Sequence, residues 1–73
     1  MNNKIVRILV VELDFMPSQH RWAVDFFHET GNYIIDLTRF FISENLAIDF
    51  ATIMAHHHSL PKTGEHSWEL PKT

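Results

Sequence analysis

Three apolar stretches separated by short polar interruptions organise residues 4–54. The first, residues 4–14 (KIVRILVVELD), is rich in β-branched side chains and apolar on both alternating faces except at Arg7 and Glu12. That composition predicts a central strand. Pro17 and Ser18 punctuate the chain, and Ser18 can act as an N-cap. Trp22, Ala23, Phe26 and Phe27 then form two i,i+4 pairs, with Arg21, Asp25, His28 and Glu29 on the wet side, which predicts an amphipathic helix. Gly31 closes that helix as its left-handed terminal residue.

From Tyr33 the period is mixed. As a strand, Ile34, Asp36, Thr38, Phe40 and Ile42 share one face, and Ile35, Leu37, Arg39 and Phe41 the other. Leu46, Ile48, Phe50, Thr52 and Met54 then alternate against Ala47, Asp49, Ala51 and Ile53, a period of two that predicts a strand. Ser43, Glu44 and Asn45 are the expected hairpin turn between these two strands. The expected order is β-α-β-β over residues 1–55, followed by a polar tail over residues 56–73. The fold class is α+β: a ferredoxin-like half or complete small domain with an extended C-terminal tail.

The frame of apolar strand, Asp14 and Pro17-Ser18 loop, helix, and Gly31-Asn32-Tyr33-Ile34-Ile35-Asp36-Leu37 opening a strand resembles the first two thirds of an ACT domain. The likeness spans residues 4–54, with Ser18 standing where that family has a loop glycine. It implies a regulatory domain that pairs with a second copy and binds a small effector near the first loop. Carried over by position, it marks Asp14, Phe15, Met16, Pro17, Ser18 and Asn32 as the effector-contact region. Glu29-Thr30-Gly31 followed by Asp36-Leu37-Thr38-Arg39 and Ile42 also resembles the frame of a ribbon-helix-helix repressor. That second resemblance implies a DNA-binding autorepressor whose strand reads the major groove with polar side chains. Residues 5–13 offer mainly Ile, Leu and Val for that task.

A β-α-β-β arrangement has one helix, which covers only one face of its sheet, so an apolar face and an unpaired strand edge remain. Val10, Ile34, Phe40, Ile42 and Trp68 are the residues expected at the resulting interface. A chain of 73 residues buries only about 60% of its unfolded surface, and domains this small commonly need support from a disulfide, a metal or association. The chain has no cysteine, so the first of these is closed, and the absence fits a reducing compartment. Six phenylalanines and two tryptophans supply enough apolar volume for an ordered core.

The net charge of −3 is spread without a basic patch: Lys4, Arg7, Arg21 and Arg39 are dispersed among the acids that precede Asp49. Affinity for nucleic acid is dominated by phosphate neutralisation, so this balance argues against non-specific RNA or DNA binding. No segment approaches the roughly 20 apolar residues of a membrane span, and residues 1–14 do not read as a secretory signal because Arg7, Glu12 and Asp14 break the apolar run. A cytoplasmic location is expected.

No catalytic constellation accompanies these elements. Serines are few, no glycine elbow surrounds one, and Asp14, Asp36 and Asp49 read as loop and edge charges. His56 and His58 could point the same way on a strand, with Glu65 or His66 nearby, but no i,i+4 histidine pair exists and they read as solvated. No metal or other cofactor is expected.

The tail repeats Leu-Pro-Lys-Thr at 60–63 and 70–73. Its first copy resembles a sortase sorting signal, but neither a hydrophobic span nor a basic run follows it, so it reads instead as a proline-stiffened arm laying Leu60, Trp68 and Leu70 on the domain or a partner. The expected function is a non-enzymatic regulatory or protein-interaction module that dimerises or docks on a larger protein. The alternatives are a DNA-binding autorepressor and a small inhibitor of the phage type.

Overall fold

The computed structural model describes residues 4–16 and 20–71. Its elements are strands β1 (Ile5–Glu12) and β2 (Trp22–His28), a 3-10 turn (Ile35–Leu37), strand β3 (Arg39–Phe41), helix α1 (Glu44–His57), and strands β4 (Lys62–Gly64) and β5 (Ser67–Glu69). The strands form one antiparallel five-stranded sheet in the order β3-β2-β1-β5-β4. The protein is therefore a small α+β domain with one helix among the described residues.

The expectation of a central first strand holds. β1 pairs with β2 from Ile5↔His28 to Glu12↔Trp22 and with β5 at Ile8↔Trp68, so neither of its sides is an unpaired edge. Ile8 and Val10 are buried, and their neighbours across the register are Phe26, Val24 and Trp68.

The helix expected after Pro17 is instead β2. The segment Trp-Ala-Val-Asp-Phe-Phe is dominated by aromatic and β-branched side chains, and antiparallel pairing with β1 buries one alternating set against the core. Trp22, Val24 and Phe26 form that set, and the i,i+4 pairs Trp22–Phe26 and Ala23–Phe27 also satisfy a period of two. Gly31 does adopt a positive φ of 89°. It closes a turn off a strand, with its N–H bonded to the His28 carbonyl at 2.8 Å, and the chain returns so that Tyr33 bridges Phe27. The strand expected from Tyr33 to Ile42 shortens to Arg39–Phe41, because the 3-10 turn at Ile35–Leu37 consumes its first half.

The strand expected at Leu46–Met54 is helical, the reverse of the β2 case. Ser43 is an N-cap rather than a turn residue: its hydroxyl accepts the Leu46 N–H at 3.3 Å, and Glu44 occupies the first turn. Ala47, Ala51 and Ala55 recur every fourth residue and are the fully buried positions of α1. Such a stripe lets the helix axis approach the sheet closely, with Ile48, Phe50 and Met54 packing beside it. The order β-α-β-β is thus replaced by β-β-β-α-β-β, and the helix following β1 that both the ACT-like and the ribbon-helix-helix frames called for is a strand.

α1 ends in a Schellman motif. The Leu60 N–H bonds to the Ala55 carbonyl at 2.8 Å and the Ser59 N–H to the His56 carbonyl at 3.1 Å. Ser59 carries the positive φ of 59° that this motif requires, and Leu60 is buried beneath it. Residues 60–70, expected as an arm, form the β4–β5 hairpin and complete the sheet: Trp68 is 3% exposed in the core and Leu70 packs against it. Val10 and Trp68 are therefore interior residues and not interface residues.

Two consequences can be measured. Ala51→Leu should cost about 1–3 kcal/mol in urea unfolding through overpacking, whereas Ile53→Ala, at a position 66% exposed, should change stability by no more than about 0.5 kcal/mol. Ser59→Gly should stabilise the domain by about 0.5–1 kcal/mol, the relief of a left-handed conformation less the added freedom of the unfolded chain.

Candidate functional site

α1 covers one side of the sheet, and the register fixes what the other side presents. Across it run three rows: Glu69, Arg7 and Phe27; Ser67, Leu9 and Asp25; Val11, Ala23 and Phe40. Leu9, Val11, Phe27 and Phe40 lie outside the core cluster, and no helix among the described residues lies over them. Phe40 is 45% exposed, while Ala23 beside it is only 2% exposed because its neighbours Val11 and Phe40 stand taller. The centre of this side is a shallow apolar trough.

Of its charges, Asp25 is hydrogen-bonded, while the Nε of Arg7 is buried without a hydrogen-bond partner. The Arg7 guanidinium lies 5.3 Å from the centroid of the Phe27 ring, and its Nε is 3.9 Å from Glu69 Oε1, too long for a hydrogen bond. Asp25 sits in the middle row. Thr38 Oγ1 donates to it at 3.5 Å, and the Thr38 and Tyr33 hydroxyls are 2.7 Å apart. Burial pushes the Asp25 carboxyl above the usual carboxylate range, opposed by hydrogen bonds from Tyr33 and Thr38. At one corner the His20 ring meets Phe40 edge-on, with centroids 5.5 Å apart.

Among the described residues marked as an effector-contact region, Asn32 stands apart from Asp14, Phe15 and Met16. Asp14 and Phe15 are exposed just beyond the C-terminal end of β1, with Phe15 82% exposed and Met16 partly buried. Asn32 follows β2 and lies at the opposite end of the β1–β2 ladder, about seven strand residues or roughly 23 Å away. Pro17 and Ser18 lie outside the described residues. Of the expected interface residues, Phe40 and Ile42 are exposed and Ile34 packs partly against the core.

Surface grooves among the described residues include two of similar size. One, of about 700 Å³, is flanked by Lys4, Arg7, Glu29 and Glu69; the other, of about 600 Å³, runs between Ile5, Ile34, Met54 and His58. Neither includes Asp14, Phe15, Met16 or Asn32. His58 beside the second groove has its pKa lowered, first by burial and then by the neighbouring His57. Among the described residues no three His, Asp or Glu side chains converge as a metal cluster, and no helix is long and apolar enough to cross a membrane.

The open side of the sheet was partly visible in the sequence, as the uncovered face expected of a one-helix domain. Which residues occupy it was not, because Leu9, Val11, Ala23 and Phe27 belong to it only when residues 22–28 are a strand paired with β1. Comparisons of the chain with protein-family models, with curated proteins and with solved structures found no match.

The raised pKa of Asp25 has a definite sign. An acid whose folded pKa exceeds its unfolded one binds its proton more tightly when folded, so it withdraws stability as pH rises from the ordinary carboxylate range through the folded value. Asp25→Asn should therefore be more stable than the parent protein at pH 7 in urea unfolding, with the difference vanishing near pH 3.

Proposed function

We propose that this protein is a non-enzymatic protein-interaction module that docks on a larger protein through the open side of its sheet. The observation that carries the reading is the apolar trough of Leu9, Val11, Ala23, Phe27 and Phe40 on the side that α1 leaves uncovered. Sheets of this kind are commonly covered by helices on one or both sides, and the occupant that fits is an amphipathic helix of the partner. The trough spans three neighbouring strands, about 10 Å across at the usual strand spacing, which matches the diameter of one helix.

Strand addition is the less suitable mode. The two edge strands, β3 and β4, are three residues each, too short to template a stable added strand. The Arg7–Glu69 pair adds orientation rather than affinity, since the two lie partly exposed 3.9 Å apart, and Asp25 accepts a hydrogen bond from Thr38. A regulatory role and a cytoplasmic setting belong to the same proposal: the module would act by occupying a helix that its partner otherwise uses.

Photo-crosslinking in the protein's native cells tests this. A photoreactive residue placed at Val11 or at Phe40 should yield the same discrete protein adduct, and one placed at exposed Thr63 should not. Ala23→Lys should reduce that adduct at least tenfold while leaving the far-ultraviolet circular dichroism unchanged. Adducts of equal yield from all three positions, or from Thr63 alone, would remove the open side as the docking site.

A further inference from the structure

Asp25 occupies a place on the open side that the fold does not reward. Ala23 and Phe27 flank it on the same face of β2, and Leu9 stands opposite it on β1. The acid–base side-chain pairs among the described residues are Arg7–Glu69, Arg21–Glu12 and His66–Glu44, and none includes Asp25. Arg39, the cation on the adjoining strand, turns its guanidinium to the carbonyls of Asp36 and Thr38. What the carboxylate receives is neutral: a hydrogen bond of 3.5 Å from Thr38, with the Tyr33 hydroxyl behind it. An asparagine would accept that bond equally well, so the fold has no need of an acid here. Burial among apolar neighbours makes the charge a cost.

We propose that the partner helix carries a lysine or arginine inside its apolar face, and that this residue pairs with Asp25 when the trough is covered. Docking takes away the water that the carboxylate still has, and against a wholly apolar helix that would leave a buried charge with no counter-charge. A basic side chain turns the same site into a hydrogen-bonded ion pair, with its aliphatic stem lying along Leu9 and Phe27. The neighbouring row carries Arg7 and Glu69 together and so no net charge, which leaves the centre of the trough negative. Asp25 lies between the row of Phe27 and the row of Val11, Ala23 and Phe40. The basic residue is therefore bracketed by apolar ones on its helix rather than set at the edge of the stripe. One acid thereby selects among amphipathic helices, rejecting those whose apolar face is unbroken or carries an acid.

This requirement rests on docking through the open side, and the two fail separately. The test is display selection, against the full chain, of amphipathic helical peptides of about 18 residues whose apolar positions are varied among Leu, Ile, Phe, Ala, Gln, Glu, Lys and Arg. Peptides whose capture is lost on Ala23→Lys should carry one lysine or arginine inside the stripe. Replacing that residue by glutamine should weaken binding to the parent protein about tenfold or more, but binding to Asp25→Asn by less than about threefold. Asp25→Asn keeps the shape of the side chain, so loss of folding cannot produce this difference. Peptides that need Ala23 yet carry no basic residue in the stripe would overturn the pairing while leaving docking on the open side in place. So would a glutamine replacement that costs the same on the parent protein and on Asp25→Asn. A selection that yields no peptide sensitive to Ala23→Lys would overturn the docking surface and the pairing with it.

Discussion

The close approach of α1 to the sheet, made possible by Ala47, Ala51 and Ala55, is the contact on which the rest of the domain depends. With no side chain beyond Cβ along that stripe, the helix lies low over β1 and β2, and Ile8, Val24 and Phe26 beneath it are fully excluded from water. Phe26 and Phe41 both meet Phe50 across this layer, with ring centroids 6.2 and 5.3 Å apart. A small chain without a disulfide has few other ways to stabilise a sheet, and here nearly all the interior is built on one side of it. That asymmetry leaves the second side apolar at its centre and uncovered.

The terminal hairpin plays a supporting part that its composition conceals. β5 contributes Trp68 to the helix-facing layer, and Lys62 on β4 places its ammonium 4.2 Å from the centroid of the Trp68 ring. His66, in the turn between these strands, bonds to Glu44 and lies against Trp22, with ring centroids 5.9 Å apart. The hairpin is thereby tied to the start of α1 and to β2 at once. The Schellman motif at Ser59 and Leu60 sends the chain from the helix into this hairpin, so the end of α1 and the completion of the sheet are set by the same few residues.

The sequence made β1 legible because its run of branched aliphatic residues admits only a buried strand, and it made the uncovered side legible because a short chain with one helix cannot cover two faces. It did not distinguish strand from helix at residues 22–28 or 46–54. In both segments apolar residues are dense enough to satisfy periods of 2 and 3.6 together, and what decided was tertiary. Pairing with β1 selected the strand, and the alanines at 47, 51 and 55 with the Ser43 cap selected the helix. The alanine spacing was the readable signal, since residues with so little side chain add nothing to a strand face yet are what a closely packed helix needs. The effector-contact group was displaced for the same reason. With residues 22–28 extended, Asp14 and Asn32 stand at opposite ends of a ladder instead of meeting beside a loop.

In the isolated protein the sheet has one covered and one open side, and solvent paramagnetic relaxation measures this residue by residue. With a soluble paramagnetic probe, the methyls of Leu9 and Val11 and the ring protons of Phe27 and Phe40 should broaden strongly, while Ile8, Val10, Val24 and Phe26 stay protected. Equal protection of the two sets would show that the second side is covered, and broadening of Ile8 and Val24 would show that α1 does not pack where the alanine stripe places it; either result contradicts the account.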